Sequence, residues 1–321
     1  MSAPPNRRRP TPFPAPTVAS ALALEGFTRR DALRAFGVGL AVVPLTQLFA
    51  GCDSSDPAAP TDAATSGDAA TRPDAATTPD ASGVTDGGPV TGWATGGTAA
   101  MLARDSYPNP FAGSSGSSCS VTCAATIGPC HTASPERADV SDAWDGLPVR
   151  LALRVVDATC APISNAIVEI WHTNPIGVYS GRIAPICNTE EEDRAAQYFR
   201  GYLRTDTDGR VDFDTCFPGW YRGRAIHIHF RIMTGDYDGS DSAAAEVVSQ
   251  LFFSDELVSQ IFTSEPNYRD LGQPDTSNAT DSVLGGADPT PYVCDVARMS
   301  DGAMQASKTI VVRGTSCRIA T

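Results

Sequence analysis

From residue 147 onward, the chain consists of short apolar segments separated by turn-forming residues. In residues 149–156, valine or leucine occupies every second position and two arginines lie between them, which is the two-residue period of a strand with one buried face. Residues 205–210, Thr-Asp-Thr-Asp-Gly-Arg, predict a hairpin turn. Further strands are predicted at 167–172, 202–204, 211–215, 225–233, 247–253 and 309–312. A helical period is found only briefly, near residues 190–197, so the pattern indicates an all-β sandwich.

The first 52 residues contain the features of an export signal in the expected order. Arg29 and Arg30 form a pair before a moderately apolar run, residues 35–50, which is too short and too broken to cross a membrane. The run ends in Leu-Phe-Ala-Gly-Cys52, which is similar to a lipoprotein cleavage site. We therefore expect residues 1–52 to be a twin-arginine-type signal. Lipidated Cys52 would then give peripheral membrane attachment, as in a periplasmic or cell-surface lipoprotein. An ordinary N-terminal helix is the alternative.

Residues 53–95 have a composition that cannot build a core. They are mostly alanine, threonine, aspartate, proline, glycine and serine, with an aspartate at every sixth position from Asp56 to Asp86. Such a segment cannot offset its ordering entropy by burying apolar surface, and its repeated charge favours extended conformations. We predict a disordered linker here, followed by a single folded domain in residues 96–321.

Charge is distributed unevenly between the signal and the rest of the chain. Residues 1–52 carry six arginines, one glutamate and one aspartate, a formal charge of +4, so the total of −13 leaves −17 on residues 53–321. Nucleic-acid binding depends on clustered lysine and arginine that displace counterions. We therefore expect no nucleic-acid partner.

Eight cysteines follow Cys52, at positions 119, 123, 130, 160, 187, 216, 294 and 317. An even number in an exported protein predicts disulfides, but their connectivity cannot be read from the sequence. The spacing of Cys119 and Cys123 also allows a zinc site, although no second ligand pair with zinc-finger spacing accompanies it.

Histidines are few, and two of them form a pair. The chain has four, of which His227 and His229 lie in one predicted strand. Residues i and i+2 of a strand point to the same side, so both imidazoles can face one metal ion. Cupins, ferrous facial triads, multicopper proteins and zinc hydrolases need carboxylates or further histidines that this region lacks. Tyr221 supplies a hard oxygen donor that favours ferric iron; alternatively, it is an aromatic that only covers the core.

Four segments of the chain resemble the intradiol ring-cleavage dioxygenases, the family of the catechol and protocatechuate enzymes. They are residues 137–157, 166–179, 200–229 and 249–253. The second ends in Gly-Val-Tyr179, and the third contains Pro-Gly-Trp-Tyr221 and Arg-Ala-Ile-His-Ile-His229 in the family's order. With their flanks, these segments span about residues 119–284, most of the predicted domain.

Carried over by position, the resemblance implies a site for Fe(III). The implied ligands are Tyr179, Tyr221, His227 and His229. Tyr221 would leave the metal when substrate binds and act as a base, and His229 would be the other axial ligand. Arg224 would lie against the substrate ring and stabilise developing charge. Gln250 matches a glutamine of the family's site, although residues 234–246 look like an insertion before it.

The resemblance also implies a β-sandwich of the intradiol dioxygenase type and a reaction. The substrate would be a catechol-type aromatic, opened by O2 to a cis,cis-muconate-type diacid that contains both oxygen atoms. Cys130 stands where the family commonly has an aromatic after Gly-Pro, which removes a pocket wall and frees Cys130 for a disulfide. Trp220 and His172 are candidates to line the pocket, whereas core packing is favoured for Trp171. Oligomeric state stays open, because the linker replaces the helical dimerisation region of catechol 1,2-dioxygenases.

Two non-enzymatic alternatives remain. One is an iron-free β-sandwich binding module on the cell surface. The other is a structural domain held by disulfides, in which His227 and His229 only pack. The presence of all four ligand types together with Arg224 favours the enzyme.

Overall fold

The computed structural model describes residues 92–113, 119–314 and 316–319. The predicted signal, residues 1–52, and residues 53–91 of the predicted linker lie outside the described residues. Within the described ranges, no helix has the length and apolar character needed to cross a bilayer.

Eight strands form two four-stranded sheets in the described part of the chain. They are β1 (Pro148–Asp157), β2 (Ile167–Trp171), β3 (Arg200–Arg204), β4 (Arg210–Cys216), β5 (His227–Met233), β6 (Val247–Phe252), β7 (Asp295–Arg298) and β8 (Met304–Val312). One sheet has the order β4-β1-β8-β7 and the other β3-β2-β5-β6. Neighbouring strands run antiparallel except for β1 and β8, which are parallel. The prediction of an all-β sandwich is confirmed.

The core lies between the two sheets. Alternate residues of β1, including Leu151 and Leu153, pack in one apolar cluster with Ile228 and Phe230 of β5. The other residues of β5 therefore point away from this core, because side chains alternate along a strand. Nevertheless all seven residues of β5 are buried. The outer face of the second sheet is thus covered as well, and that covered face carries the two predicted histidine ligands.

The position of strand β1 was predicted correctly, but the burial of its two faces was not. Residues 149–156 were expected to have one buried face, but Ala152 and Val156 on the other face are also buried. A short 3-10 helix, Gly97–Ala100, contacts β1 and β4. The prediction of a half-buried strand was therefore wrong at Ala152 and Val156, although Arg150 and Arg154 on the same face are only partly buried.

The described ranges contain two α-helices, α1 (Glu191–Ala195) and α2 (Asp255–Ser264). The first confirms the brief helical period near residues 190–197. The second, like strand β7, was not predicted, so the expectation of no other helix was wrong. Four further 3-10 helices are found in the described residues, at Arg104–Ser106, Arg269–Leu271, Asn278–Thr280 and Thr290–Tyr292.

Three disulfides among the described residues connect segments that are distant in sequence. They are Cys119–Cys160, Cys123–Cys317 and Cys130–Cys187. The prediction of disulfides, including one at Cys130, is confirmed, and a zinc site at positions 119 and 123 is excluded because both sulfurs are already bonded. Cys216 and Cys294 are buried thiols, so not every cysteine of the even set is paired.

Candidate metal centre

Strand β5 carries both candidate histidine ligands on the outer face of the second sheet. His227 and His229 are each only 3% exposed. The register of the sheet places Trp171 of β2 on one side of His229 and Gln250 of β6 on the other. Hydrogen-bonded strands hold their side chains in fixed register, so the two imidazoles are positioned by backbone rather than by a mobile loop.

Two loops bring the tyrosines to the same point. Tyr179 follows β2 and is 1% exposed, whereas Tyr221 precedes β5 and is partly exposed. The Nε2 atom of His227 lies 3.2 Å from the Tyr179 hydroxyl, 3.3 Å from the Tyr221 hydroxyl and 3.2 Å from Nε2 of His229. The structure therefore brings all four predicted ligands together, although residues 179 and 229 are 50 positions apart in the sequence.

The protonation of His227 leaves its Nε2 lone pair free to bind. Its Nδ1 lies 2.7 Å from the carbonyl oxygen of Ala225, and because a carbonyl only accepts, Nδ1 carries the proton. Burial and the nearby Arg224 guanidinium lower the pKa of His227 to about 3. Burial and the His227 imidazole likewise lower the pKa of His229 well below its ordinary value. Both rings are therefore neutral, which is the form that binds metals.

The spacing of these atoms fits one metal ion. A single lone pair cannot accept hydrogen bonds from three surrounding groups at once, so the cluster is poorly satisfied by protein atoms alone. Donors at about 2.0–2.1 Å from a shared metal would lie about 3.3 Å apart in tetrahedral directions. The observed distances of 3.2 and 3.3 Å match this value. Among the described residues, no group of three or more histidine, cysteine, aspartate or glutamate side chains could hold a metal, so the two tyrosines are needed.

Burial acts on the tyrosines in the opposite direction from the histidines. It raises the pKa of Tyr179 well above its ordinary value. Burial also raises the pKa of Tyr221, although the neighbouring Arg224 guanidinium partly opposes this. Both phenols are therefore neutral in the protein alone, and binding of a metal through phenolate oxygens would release protons.

Arg224 reaches the cluster from the partly exposed side. Its Nη1 lies 3.5 Å from the Tyr221 hydroxyl and 3.5 Å from Nε2 of His227. Its Nη2 donates to the amide oxygen of Gln250. Both predicted residues outside the ligand set are therefore adjacent to the site and contact each other.

Asp281 was not predicted, and it holds Arg224 in place. Nε of Arg224 donates to its carboxylate at 2.9 Å, and the backbone amide of Ala225 donates to the same oxygen at 2.8 Å. Burial would raise the pKa of this carboxyl, but the hydrogen bond and the charge of Arg224 lower it below its ordinary value. Ser-Val-Leu-Gly-Gly after Asp281 gives no sequence signal of this role. Only the fold brings residue 281 to residue 224.

The predicted pocket aromatics have different positions. Trp171 is fully buried and stacks on His229, with ring centroids 4.9 Å apart and an angle of 10° between the planes. Trp171 is therefore part of the buried packing, as favoured from the sequence, and its ring also helps to orient the candidate ligand His229. Trp220 donates its Nε1–H to the carbonyl of Gly272. His172 hydrogen bonds through both ring nitrogens, to Thr173 and Thr215, so no lone pair is left for the site.

The segment before the sandwich closes the site on the side of His229. A Cβ added at Gly128 would lie 3.3 Å from Cε1 of His229, and the φ of Gly128 is +75°. A glycine is required here by both the close approach and the backbone conformation. Two residues later, Cys130 joins Cys187, and this disulfide packs with Trp171 and Tyr179 in one buried cluster.

Known proteins are similar to part of this sequence. A family model described as dioxygenase matches residues 130–284. The beta chain of protocatechuate 3,4-dioxygenase from Burkholderia cepacia is 33% identical over 109 residues, which cover 31% of this chain and 42% of that protein. Chlorocatechol 1,2-dioxygenase from Cupriavidus pinatubonensis is 23% identical over 121 residues, covering 32% and 44%. The chain thus spans less than half the length of these curated relatives.

Solved structures support the same architecture. An intradiol ring-cleavage dioxygenase from Tetranychus urticae superimposes with a TM-score of 0.53 at 24% identity, covering 62% of this chain and 97% of that one. A second dioxygenase structure gives a TM-score of 0.51 at 25% identity, with the same coverage. The fold is therefore a dioxygenase fold. Taken with the family model and the relatives in sequence, these findings show that the chain belongs to the intradiol ring-cleavage dioxygenase family.

Proposed function

We propose that this chain is a non-haem Fe(III) dioxygenase that opens a catechol-type aromatic with O2 to a cis,cis-muconate-type diacid. The observation that carries the proposal is the convergence of two phenol oxygens and one imidazole nitrogen on Nε2 of His227, at distances of 3.2–3.3 Å. This donor set suits ferric iron, because phenolate is a hard, anionic ligand. Tyr179, Tyr221, His227 and His229 would hold it.

Bound ferric iron would accept the two oxygens of a catechol and withdraw electron density from its ring, which makes the ring reactive toward O2. Tyr221 is the ligand best placed to exchange for substrate, since it is partly exposed while Tyr179 is 1% exposed. Its hydroxyl oxygen, 3.5 Å from Nη1 of Arg224, would take a proton from the catechol as a positioned base. Arg224 would then stabilise the negative charge that develops beside it.

Export and lipid attachment at Cys52 are part of the proposal. Three disulfides support an oxidising compartment, because such bonds are rare in cytosolic proteins. A periplasmic or cell-surface lipoprotein would meet diffusing catechols and O2 there. The mass and the N-terminal modification of the protein purified from membranes would test this part independently of the activity.

The visible absorption spectrum of the purified protein, measured with its iron content, is the primary test. We expect one iron per chain and a burgundy band from tyrosinate-to-iron charge transfer, which shifts when catechol is added without O2. A protein that stays colourless after reconstitution with iron would contradict the proposal and favour an iron-free binding module of the same fold.

Replacing Asp281 with asparagine is expected to lower kcat/KM for catechol by about 10- to 100-fold, the usual range when a group that orients a metal site is lost. The amide can still accept from the backbone of Ala225 but no longer balances the charge of Arg224. Initial rates of O2 uptake measure the effect. Asp275→Asn is the matched control, because Asp275 is 39% exposed in its side chain and lies beside Arg222 instead. Equal losses in both variants would contradict a positioning role for Asp281.

A further inference from the structure

A group of apolar side chains, called the rim below, packs beside the candidate site. Ile127, Ile183 and Ala184 are partly buried and pack, together with Tyr221, against the cluster formed by Trp171, Tyr179 and the Cys130–Cys187 disulfide. The disulfide joins the segment that contains residue 127 to the loop that contains residues 183 and 184. Both apolar walls are therefore fixed beside the ligand tyrosines by a covalent link.

Ile176 lies in a loop next to the turn that carries Tyr221 and is counted here with the rim. A Cβ added at Gly177 would collide with the carbonyl oxygen of Trp220, and one at Gly219 with the carbonyl of Pro175. The loop that carries Ile176 is thus packed directly against the turn that carries Tyr221. Ile176 is 36% exposed and Ile186 is 86% exposed, and they are two of the three large exposed hydrophobic residues in the described part of the chain.

Three arginines near the site have a carboxylate within 4 Å, whereas a fourth, Arg200, is fully buried and donates to the backbone carbonyls of Cys130, Thr132 and Ser180. Arg182 pairs with Glu191, Arg222 lies 3.9 Å from Asp275, and Arg224 lies 2.9 Å from Asp281. The pairs formed by the first two arginines are exposed and the pair formed by Arg224 is largely buried. Each of these three guanidinium groups therefore already has an acidic partner. None of them offers an unpaired positive charge to an anionic substituent of a substrate.

The surrounding charge is negative. Residues 190–193 are Glu-Glu-Glu-Asp, and the backbone of the acidic helix α1 accepts a hydrogen bond from Gly181 at 2.8 Å. This contact ties the acidic segment to the loop that carries Ile183. Residues 53–321 carry a net charge of −17. Both the local and the overall field therefore oppose the approach of an anion.

We infer that this site takes uncharged catechols bearing a small apolar substituent and discriminates against catechols bearing a carboxylate, with Ile127, Ile176 and Ile183 as the specificity-determining residues. This rests on the proposed dioxygenase function. An apolar substituent would lie against the rim, whereas a carboxylate would lose its hydration there without gaining an unpaired cation. Uncharged 4-methylcatechol and anionic 3,4-dihydroxybenzoate carry their substituents at the same ring position and form a matched pair of probes.

The test compares the two probes on the iron-loaded protein. We expect kcat/KM from O2 uptake to favour 4-methylcatechol by about 100-fold, as for substrates that leave a polar group unpaired in a site. Titration without O2, followed by the shift of the visible band, should show the same preference in binding. The binding readout separates recognition from catalysis.

Rim variants identify the cause of the preference. Ile183→Arg adds a cation to the apolar wall and should reduce the preference by about tenfold or more, because a charge-assisted contact to a carboxylate is strong. Glu191→Gln removes the exposed partner of Arg182 and should reduce it by roughly two- to fivefold, the scale of an exposed ion pair. Glu256→Gln, an exposed position in α2, makes the same change in charge outside the rim and should leave the preference unchanged.

The outcomes separate the two levels of the hypothesis. Turnover of both probes without a preference, a preference for 3,4-dihydroxybenzoate, or a preference that Ile183→Arg does not reduce would each overturn the specificity inference while leaving the dioxygenase function standing. No visible band and no O2 uptake with either probe would overturn the dioxygenase function and the inference with it.

Discussion

Alanine in place of His227 is expected to leave the sandwich folded but unable to retain iron, and to lower ring cleavage by about a thousandfold or more, as when a metal that carries the chemistry is lost. The reason is geometric. The Nε2 atom of His227 lies within 3.3 Å of the donor atoms of Tyr179, Tyr221 and His229. Far-UV circular dichroism tests whether the sandwich is folded, and iron content and the visible band of the same sample test whether iron is retained. Initial rates of O2 uptake measure the loss of ring cleavage.

His172→Gln is the matched control for His227→Ala, since it also replaces a buried histidine near the second sheet. Nδ1 of His172 donates to the carbonyl of Thr173, and Nε2 accepts from the hydroxyl of Thr215, both at 2.8 Å. Glutamine offers one donor and one acceptor for these partners. This variant should keep its iron and its colour. One iron per chain and an unchanged band in His227→Ala would show that His227 is not a ligand.

Replacing Arg231 with methionine is expected to lower the free energy of unfolding by about 3–5 kcal/mol, the cost of leaving a buried charge without its partner. Nη2 of Arg231 lies 2.6 Å from the carboxylate of Glu169, and both side chains are fully buried on the outer face of the second sheet. Tyr237 and His131 also contact this carboxylate, but neither replaces the permanent charge of the guanidinium. Urea or thermal denaturation measures the loss.

Two further variants separate the buried pair from an ordinary ion pair. Arg313→Met removes the partner of Glu246 at a pair whose side chains are 47% and 24% exposed, and it should cost no more than about 1 kcal/mol. The double variant Glu169→Gln with Arg231→Met removes both charges and should recover part of the stability lost in the single variant. A double variant less stable than Arg231→Met alone would refute the account based on an uncompensated charge.

The Glu169–Arg231 pair also supports the candidate site through a short series of contacts. His131 lies 3.2 Å from Glu169 and packs edge-on against Trp171 at a centroid distance of 4.6 Å. Trp171 in turn stacks on His229. A loss of this pair is therefore expected to disturb the orientation of a candidate ligand as well as the stability of the sheet.

Sequence patterns predicted the strands and the candidate ligands because each depends on local spacing. The alternation in residues 149–156 needs only a period of two, and the pair formed by His227 and His229 needs only a strand to face both imidazoles to one side. The remaining candidate residues were identified from their order along the chain, which is Tyr179, Tyr221, Arg224 and then the two histidines. Their roles as iron ligands stay predictions, whereas their convergence is a feature of the fold.

Contacts between distant segments could not be predicted in the same way. Asp281 lies 57 residues after Arg224, and a single aspartate among turn residues has no distinguishing pattern. The burial of Ala152 and Val156 depends on coverage by other parts of the chain. The pairing of Cys130 with Cys187 requires knowledge of which loops meet over the site.

Helix α2 was missed although its signals are local. Ser254 caps it by accepting from the amide of Leu257, and Asp255 and Glu256 occupy the first turn. Val258, Ile261 and Phe262 are its buried residues, at the spacing of one helical face. The preceding apolar run of β6 continues directly into this helix, so the change of period from two to about 3.6 falls within only a few residues.

The strand made last lies in the middle of its sheet. Strand β8 is inserted between β1 and β7, and its parallel pairing joins Val149 to Met304. During synthesis, more than a hundred residues must therefore be added after β1 before its partner strand β8 is made. Until then, this edge of β1 is unpaired and can pair with other chains. Contacts of such long sequence separation also slow folding. Ribosome-bound chains should accordingly stay protease-sensitive until residue 312 has emerged from the ribosome.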